Sequence, residues 1–333
     1  MKNNDFSLQN LWFDIMEKFG PRRIAIVVLL IVEVTFFSIV TEYFLTMPNF
    51  RNILSNSVDL AIVAIGMTMI ILMGQIDVSI GSVLGIIAIV VSNLLLMGVN
   101  PILVIIAGII TGAILGSLNG VLVGYVGIPG IIVTLGMMNI WRAGIFGLLG
   151  GDWISGIPPV FDFISDQFYG IPINLIIILA LYAIFWYVLK YRRFGRHIYA
   201  IGNDKEAARL SGIKVERVIV YTYALMGALV SLAAFTYLGR MGGVEITVKQ
   251  LLPLKAIAAV VIGGTAITGG KGSVLGTLLG VLFVNVLQNG IILLGIPSLW
   301  EQAIVGVLII LAMASDLIRS GERESEKEEA YAG

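Results

Sequence analysis

The sequence contains no cysteine and a single histidine, His197. Without thiols, the chain can form no disulfide, has no thiolate nucleophile and offers no cysteine ligand to a metal. One histidine and sparse carboxylates also argue against a membrane metalloenzyme. We therefore expect no catalytic residue, no metal site and no cofactor bound by this chain.

Charge is also scarce. Only 13% of the residues are charged and 58% are hydrophobic, whereas soluble domains carry roughly 25% charged residues. A soluble domain of this length could not bury so much apolar surface, so the solvent must be lipid. The net charge is zero, so nothing marks a nucleic-acid partner. The composition predicts an all-α polytopic membrane protein.

Apolar runs long enough to span a bilayer recur along the chain, separated by short breaks rich in Gly, Pro and Asn. A span needs about 20 apolar residues. Ten segments qualify, at about 24–44, 53–73, 79–97, 100–125, 130–149, 172–189, 218–238, 254–268, 273–294 and 299–317. They form one predicted transmembrane domain, residues 21–320.

Positive charge predicts the orientation of these spans. Lys and Arg cluster before the first span and in the loop 190–217, while the loop 150–171 carries three Asp and no Lys or Arg. Basic loops stay in the cytoplasm. We therefore expect both termini to be cytoplasmic. The tail 321–333 is a run of charges that we expect to be disordered.

Residues 1–20 resemble no signal peptide, because they are polar rather than a short apolar run with a cleavage site. Apolar residues recur there at helical spacing: Leu8, Leu11, Trp12, Ile15, Met16 and Phe19. One interpretation is a cytoplasmic helix lying on the membrane surface. The other is an amphipathic turn packed on the bundle.

The loop 190–217, KYRRFGRHIYAIGNDKEAARLSGIKVER, contains eight of the 21 Lys and Arg residues. It also carries a helix signature. Asn203 can cap a helix and Glu206 can return the hydrogen bond, as in a capping box. Gly212 supplies a left-handed stop. The pattern predicts about two turns of helix at 204–211, held at the inner membrane face, where a soluble partner could dock.

The stretch GGTAITGGKGS (263–273) invites comparison with a phosphate-binding loop. The register is wrong, because Gly272 stands where Ser or Thr should bind the metal, and an apolar span precedes it instead of a strand. We interpret it as a tight turn between two spans. The chain then has no nucleotide site of its own.

Neutral polar residues inside or beside the spans are candidates for a translocation path. The break at Gly127–Gly130 interrupts an apolar pattern, and transporters place substrate paths beside broken helices. The candidates are Asn119, Pro129, Thr134, Asn139, Trp141, Asn285, Gln288 and Asn289. Amides, a hydroxyl and an aromatic ring suit an uncharged polyhydroxylated solute. For any single residue, hydrogen bonding between helices is the alternative.

Three acidic residues lie in or near spans. Glu33 lies deep in the first span, where a carboxylate is a functional hypothesis by default. We favour a protonated or paired group that faces the bundle, because nothing else in that span could relay a proton. Asp59 and Asp77 lie near predicted span ends, where water could reach them, and are weaker candidates.

The loop motif Glu206-Ala-Ala208 followed by Gly212 resembles the coupling loop of bacterial ABC importer permeases. Its surroundings are similar to the branch that imports ribose, arabinose, xylose and autoinducer-2. The resemblance continues through GQIDVSIGS, LGSLNGVLV, IPGIIVTLGMM, KAIAAVVIGGTAITGGKGSVLGTLLG and VLQNGIILLGIP, and covers residues 50–318. One departure is Pro253-Leu254-Lys255, where sugar permeases usually show Glu-Leu-Asp. This departure and GGDWISGIP (150–158) look closer to the autoinducer-2 or deoxysugar type.

The resemblance implies a permease subunit that passes a small neutral sugar-like solute inward. It implies three kinds of partner: a second permease, a cytoplasmic ATPase that holds ATP and Mg, and an extracytoplasmic solute-binding protein. The coupling residues it implies are Arg196, Asn203, Glu206, Ala207, Ala208, Arg209 and Gly212. The alternative is an ATP-independent channel or facilitator. The sequence identifies neither the solute nor whether the permease pair is identical.

Overall fold

The computed structural model describes residues 21–169, 171–245, 247–297, 300, 302–307, 310–311 and 314. Up to residue 297, the described chain forms eleven α-helices. They are α1 (Pro21–Val40), α2 (Met47–Leu72), α3 (Ile80–Leu96), α4 (Pro101–Gly124), α5 (Gly130–Leu149), α6 (Ile173–Tyr191), α7 (Arg193–Asn203), α8 (Lys205–Leu210), α9 (Val215–Met241), α10 (Leu252–Ile262) and α11 (Val274–Leu293).

Helix starts coincide with capping side chains and prolines. The hydroxyl of Thr46 accepts from the amide of Asn49 before α2, and Asn100 accepts from the amide of Ile102 at 2.9 Å before α4. Each of these helices has a proline in its first turn, where a missing N–H costs nothing. These signals are local, which explains why the predicted spans match the observed helices to within a few residues.

Three predicted spans differ from the structure. The span predicted at 53–73 begins six residues early, at Met47. The segment 254–268 ends six residues early as a helix, at Ile262, because the turn that follows begins at Gly263. The span 299–317 lies partly outside the described residues, although positions 300, 302–307, 310, 311 and 314 are helical. The predicted helix at 1–20 and the tail 321–333 lie outside the described residues.

Within the described residues, six helices are long and apolar enough to cross a membrane: α2, α4, α5, α6, α9 and α11. The shorter apolar stretches Ile24–Val40, Ile80–Leu96 and Leu252–Ile262 accompany them. The structure therefore supports a multi-pass helical protein. Ten spans and cytoplasmic termini remain predictions.

Helix α2 forms the centre of the bundle. In its most apolar window 78% of the residues are buried, compared with 17% in α5. Helix α9 packs against both α2 and α4. Gly112 and Gly116 of α4 lie directly against backbone carbonyls of α9. Small residues on one helix face allow this close approach in lipid. The large exposed apolar faces of α4, α5 and α6 are left for lipid or for a partner.

Glu33 of α1 is buried, with 8% of its surface exposed, and its helix packs against α11. This agrees with a group that faces the bundle. Neither carboxylate oxygen has a hydrogen-bond partner within the described residues. The structure therefore gives Glu33 no relay partner in the part of the chain it describes.

The loop 150–171 folds over one end of the bundle. A short 3₁₀ turn (Asp162–Ser165) precedes two short paired strands, β1 (Gln167–Phe168) and β2 (Ile171–Pro172). Ile154 and Val244 exchange backbone hydrogen bonds of 3.1 and 2.9 Å, which join this loop to the segment after α9. The loop and the segment after α9 therefore lie together at one end of the bundle. Helices α6 and α9 separate that end from α7 and α8.

Candidate coupling site and translocation path

The basic loop folds into two helices, although the sequence predicts only one. Helix α7 is amphipathic and turns Gly195, Ile198 and Ile201 into the protein. Helix α8 is short and exposed except for Ala208, which is 4% exposed. Leu210 at its end is 89% exposed.

The predicted cap of α8 was wrong by one residue. Asp204, not Asn203, precedes the helix, and its carboxylate accepts from the amides of Glu206 and Ala207, both at 2.9 Å. Asn203 is instead the last residue of α7. Glu206 also makes no capping box, because its carboxylate bonds to Arg209 at 2.9 Å.

Gly212 adopts the predicted left-handed conformation, with φ of +81°. Its amide donates to the carbonyl of Arg209, and the next amide, of Ile213, donates to the carbonyl of Ala208 at 3.1 Å. These bonds close the end of α8. No atom lies within 4 Å of a Cβ built at Gly212, so the glycine is required by backbone conformation and not by space.

The two arginines of the predicted coupling set differ in their contacts. Arg209 lies between Glu206 and Glu216, and so ties α8 to the first turn of α9. The hydrogen bond to Glu216 and the two nearby carboxylates raise the pKa of Arg209 above its usual value, so it stays charged. Arg196 is exposed and donates to the carbonyl of Tyr191 at 3.1 Å.

Helix α7 is fixed to the bundle where α2 ends. Gly202 lies so close to the carbonyl of Leu72 that a Cβ there would overlap it. The same carbonyl accepts from the amide of Gly270 at 2.9 Å, and Tyr199 donates to the carbonyl of Gly272 at 2.9 Å. The glycine-rich stretch 263–272 is therefore a packing turn that joins α7 to α2. This is the tight turn that the sequence predicts.

Beyond Leu72 the chain leaves the helix and carries a buried polar network. Asp77, 2% exposed, accepts from both the amide and the hydroxyl of Ser79, at 2.8 and 2.7 Å. Asn119 of α4 donates to the same hydroxyl at 2.8 Å. Thr134 of α5 accepts from the amide of Val78 at 3.2 Å. Irregular backbone surrounded by polar groups is found inside membrane proteins where it lines a pathway or is enclosed by protein.

The non-helical segment between α4 and α5 lies against the non-helical segment 73–79. Gln75 accepts from the amide of Gly130, at the start of α5, at 2.9 Å, and Pro129 precedes that helix as its cap residue. A Cβ on Gly130 would lie 2.7 Å from the hydroxyl of Tyr223. The start of α5 and a buried tyrosine of α9 thus lie beside the segment 73–79.

The remaining predicted path residues lie elsewhere. Asn139 and Asn285 each donate to a carbonyl of their own helix, at 2.9 and 2.8 Å. Gln288 accepts from Lys255 at 3.1 Å, and Asn289 exchanges two hydrogen bonds with Asn49. Trp141 of α5 is partly buried, and its indole nitrogen has no hydrogen-bond partner within the described residues. Of the eight candidates, the structure brings only Asn119, Pro129 and Thr134 to one place.

Two acidic residues are more buried than the sequence predicts. Asp59 and Asp77 are 1% and 2% exposed. Their positions near predicted span ends suggested that water could reach them, and the structure shows that they are buried. Asp59 contacts both Arg240 and Lys249. Asp77 lies in the irregular segment after α2. The signal for Asp77 was the polar run GQIDVS between two apolar helices.

Comparisons with known proteins agree with this architecture. Residues 49–313 match the family described as branched-chain amino acid transport system / permease component. The chain belongs to this family.

Several curated relatives cover most of the permease. It is 37% identical to the ribose import permease protein RbsC of Bacillus subtilis (strain 168), over 94% of this chain and 97% of that protein. It is 35% identical to the probable ABC transporter permease protein YphD of Escherichia coli (strain K12), over 89% and 90%. It is 32% identical to the autoinducer 2 import system permease protein LsrD of Yersinia pseudotuberculosis, over 87% and 90%. No solved structure matches it significantly.

The family and the helical bundle together define the class of the protein. It is an ABC transporter permease, an integral multi-pass protein of the inner membrane. The resemblance inferred from the sequence motifs is confirmed.

Proposed function

We propose that this permease carries a small neutral sugar-like solute, such as a pentose, a deoxysugar or autoinducer-2, into the cytoplasm by alternating access. ATP and Mg are bound and ATP is hydrolysed on a partner subunit. No bond is broken on this chain. The printed names of its relatives, which include ribose and autoinducer-2 import permeases, support this class of solute.

The observation that carries the proposal is the pairing of an exposed helix with a rigid support. Helix α8 presents Leu210 to solvent, while Asp204 and Gly212 fix its two ends. Helix α7 connects it to the carbonyl of Leu72 through Gly202. A force applied to α8 would therefore reach the end of the central helix without passing through a flexible loop.

The buried polar segment 73–79 is the element that such a force would move. It follows Leu72 directly and contacts Asn119, Thr134 and Gly130 from α4 and α5. A shift of α2 by a fraction of a helical turn would change these contacts. Discrete repacking of this kind is how transporters alternate between outward and inward access.

The other partners follow from the surfaces that the bundle leaves open. We propose that a second permease, identical or related, packs against this one, and that an extracytoplasmic solute-binding protein docks on the end formed by the loops 150–169 and 242–251. Asp152, Asp162 and Asp166 give that end an acidic surface. Specificity for the solute would then be shared with the binding protein.

Replacing Gly212 with Val tests the coupling role. The left-handed backbone disfavours a β-branched residue, so α8 should lose its end while the bundle stays folded. We expect uptake of labelled ribose, used as the probe solute, to fall sharply in cells while ATP hydrolysis by the purified complex persists. Gly98→Val is the matched control, because Gly98 also has positive φ and no atom within 4 Å of its Cβ.

Unchanged uptake by the Gly212 variant would refute the assignment of α8.

Transport assays in proteoliposomes test the alternative function, an ATP-independent channel or facilitator. If the permease alone equilibrates the solute as fast as the full complex with ATP, the protein is a channel or facilitator. Recovery of an ATPase with the permease at one to one would support the importer.

A further inference from the structure

A groove of about 630 Å³ opens between the end of α6, helix α7 and the start of α11. Trp186 and Lys190 of α6 line one side, Arg196 and Tyr199 of α7 line the second, and Ser273 and Leu275 of α11 line the third. We call it the α6–α11 groove. Arg196 of the predicted coupling set lies in it, but the transport function proposed above assigns the groove no ligand.

The polar end of the groove is positively charged. Lys190 and Arg196 line it, and no acidic residue does. The ammonium of Lys190 lies 5.1 Å from the centre of the Trp186 ring, and neither cation forms an ion pair within the described chain. Helix α11 begins at this end, and its N-terminus adds a partial positive charge. The chemistry that complements this end is an anion.

The groove is also lined by apolar side chains of two membrane-crossing helices. Trp186 and Leu275 are 36% and 40% exposed, and they belong to α6 and α11, two of the helices apolar enough to span a bilayer. A soluble protein could reach the cationic end but could not follow the groove into the hydrocarbon region. Its occupant must join an anionic group to an apolar tail.

Neighbouring side chains place this groove at the level of lipid headgroups. Tyr187 and Tyr191 are about half exposed on α6, and the guanidinium of Arg192 lies 5.7 Å from the ring of Tyr187. Aromatic rings with Lys and Arg mark the membrane interface. Basic pockets between helices on the cytoplasmic side bind anionic lipid headgroups.

We propose that the α6–α11 groove binds one anionic phospholipid, with the headgroup phosphate between Lys190 and Arg196 and an acyl chain along Trp186 and Leu275. The lipid would connect α6 and α11 to α7, which supports α8. The proposal depends on α6 and α11 lying in a bilayer and not on the identity of the solute or of the ATPase.

Native mass spectrometry of the delipidated full-length permease tests this. Phosphatidylglycerol and phosphatidylcholine with identical chains are added in turn. We expect the wild type to retain phosphatidylglycerol preferentially, and the double variant K190Q/R196Q to lose about tenfold in affinity for it. The control K205Q/R217Q removes two exposed charges of the same loop that do not line the groove, and should bind as the wild type does.

Three results would overturn the proposal. Equal retention of the two lipids would show that the charge of the headgroup is not recognised. Displacement of phosphatidylglycerol by millimolar inorganic phosphate would show a site for a free anion. Loss of a co-purifying ATPase in K190Q/R196Q, with lipid retention unchanged, would make the groove a protein docking surface.

Discussion

The carboxylate of Asp59 lies 2.7 Å from the ammonium of Lys249, which is 190 residues further along the chain. The same oxygen lies 2.7 Å from Arg240, and the second oxygen accepts from the hydroxyl of Thr236 at 2.6 Å. One buried carboxylate thus joins the central helix α2 to α9 and to the loop 242–251. That loop carries the surface where we place the solute-binding protein.

The cluster keeps a charged loop side chain inside the protein. Burial lowers the pKa of Lys249, and the neighbouring Asp59 opposes that shift. Lys249 also holds positive φ, +48°, which is rare for a residue with a side chain. The ion pair offsets this strain, and so holds the loop in one conformation over the bundle.

Asp59→Asn should destabilise the permease strongly. The change leaves Arg240 and Lys249, which are 19% and 23% exposed, with no neutralising carboxylate. Breaking a fully buried pair in this way costs about 3–5 kcal/mol of the free energy of unfolding, which is the upper range here. Lys249→Met should cost less, because Arg240 still pairs with Asp59. Thermal unfolding of the purified protein measures both. Asp152→Asn is the control, since Asp152 is exposed. Equal melting of the Asp59 variant and the wild type would refute the structural role of the cluster.

Gly202→Ala should separate α7 from α2. A Cβ at Gly202 would overlap the carbonyl of Leu72 and lie 2.6 Å from the amide nitrogen of Gly270, so the backbones must move apart. We expect a loss of about 1–3 kcal/mol from overpacking and a severe loss of uptake, with the ATPase still bound. Gly147→Ala is the control, because no atom lies within 4 Å of its Cβ. Normal uptake by the Gly202 variant would show that α7 transmits no force to α2.

Much of the fold could be predicted from local signals. Apolar runs end at Asn100–Pro101, at Gly127–Pro129 and at the turn from Gly263, and these residues stop helices whatever surrounds them. The same reasoning predicts the left-handed Gly212. Membrane spans are predictable because lipid forces each backbone group to be satisfied within its own segment.

Contacts between distant parts of the chain could not be predicted. Asp59 was set aside as exposed because its partners Arg240 and Lys249 are more than 180 residues away, and one sequence does not reveal such pairs. The sequence predicted a helix only at 204–211 and not α7, which contains Gly195 and Gly202. Both are small residues at close backbone contacts with Leu189 and Leu72.

The correction from Asn203 to Asp204 as the cap of α8 can be tested directly. Both side chains are good caps, and the sequence favoured Asn203 because Glu206 stands three residues after it, the spacing of a capping box. Asp204→Ala removes the two hydrogen bonds to the amides of Glu206 and Ala207, at a cost of about 0.5–2 kcal/mol. Hydrogen exchange of a peptide covering 205–213 should speed up by about two- to thirtyfold. Asp204→Asn should restore protection, because Asn also caps. Asn203→Ala should leave exchange in α8 near the wild-type rate, because Asn203 is the last residue of α7 and does not bond to α8. If exchange is faster in Asn203→Ala than in Asp204→Ala, then Asn203 is the cap.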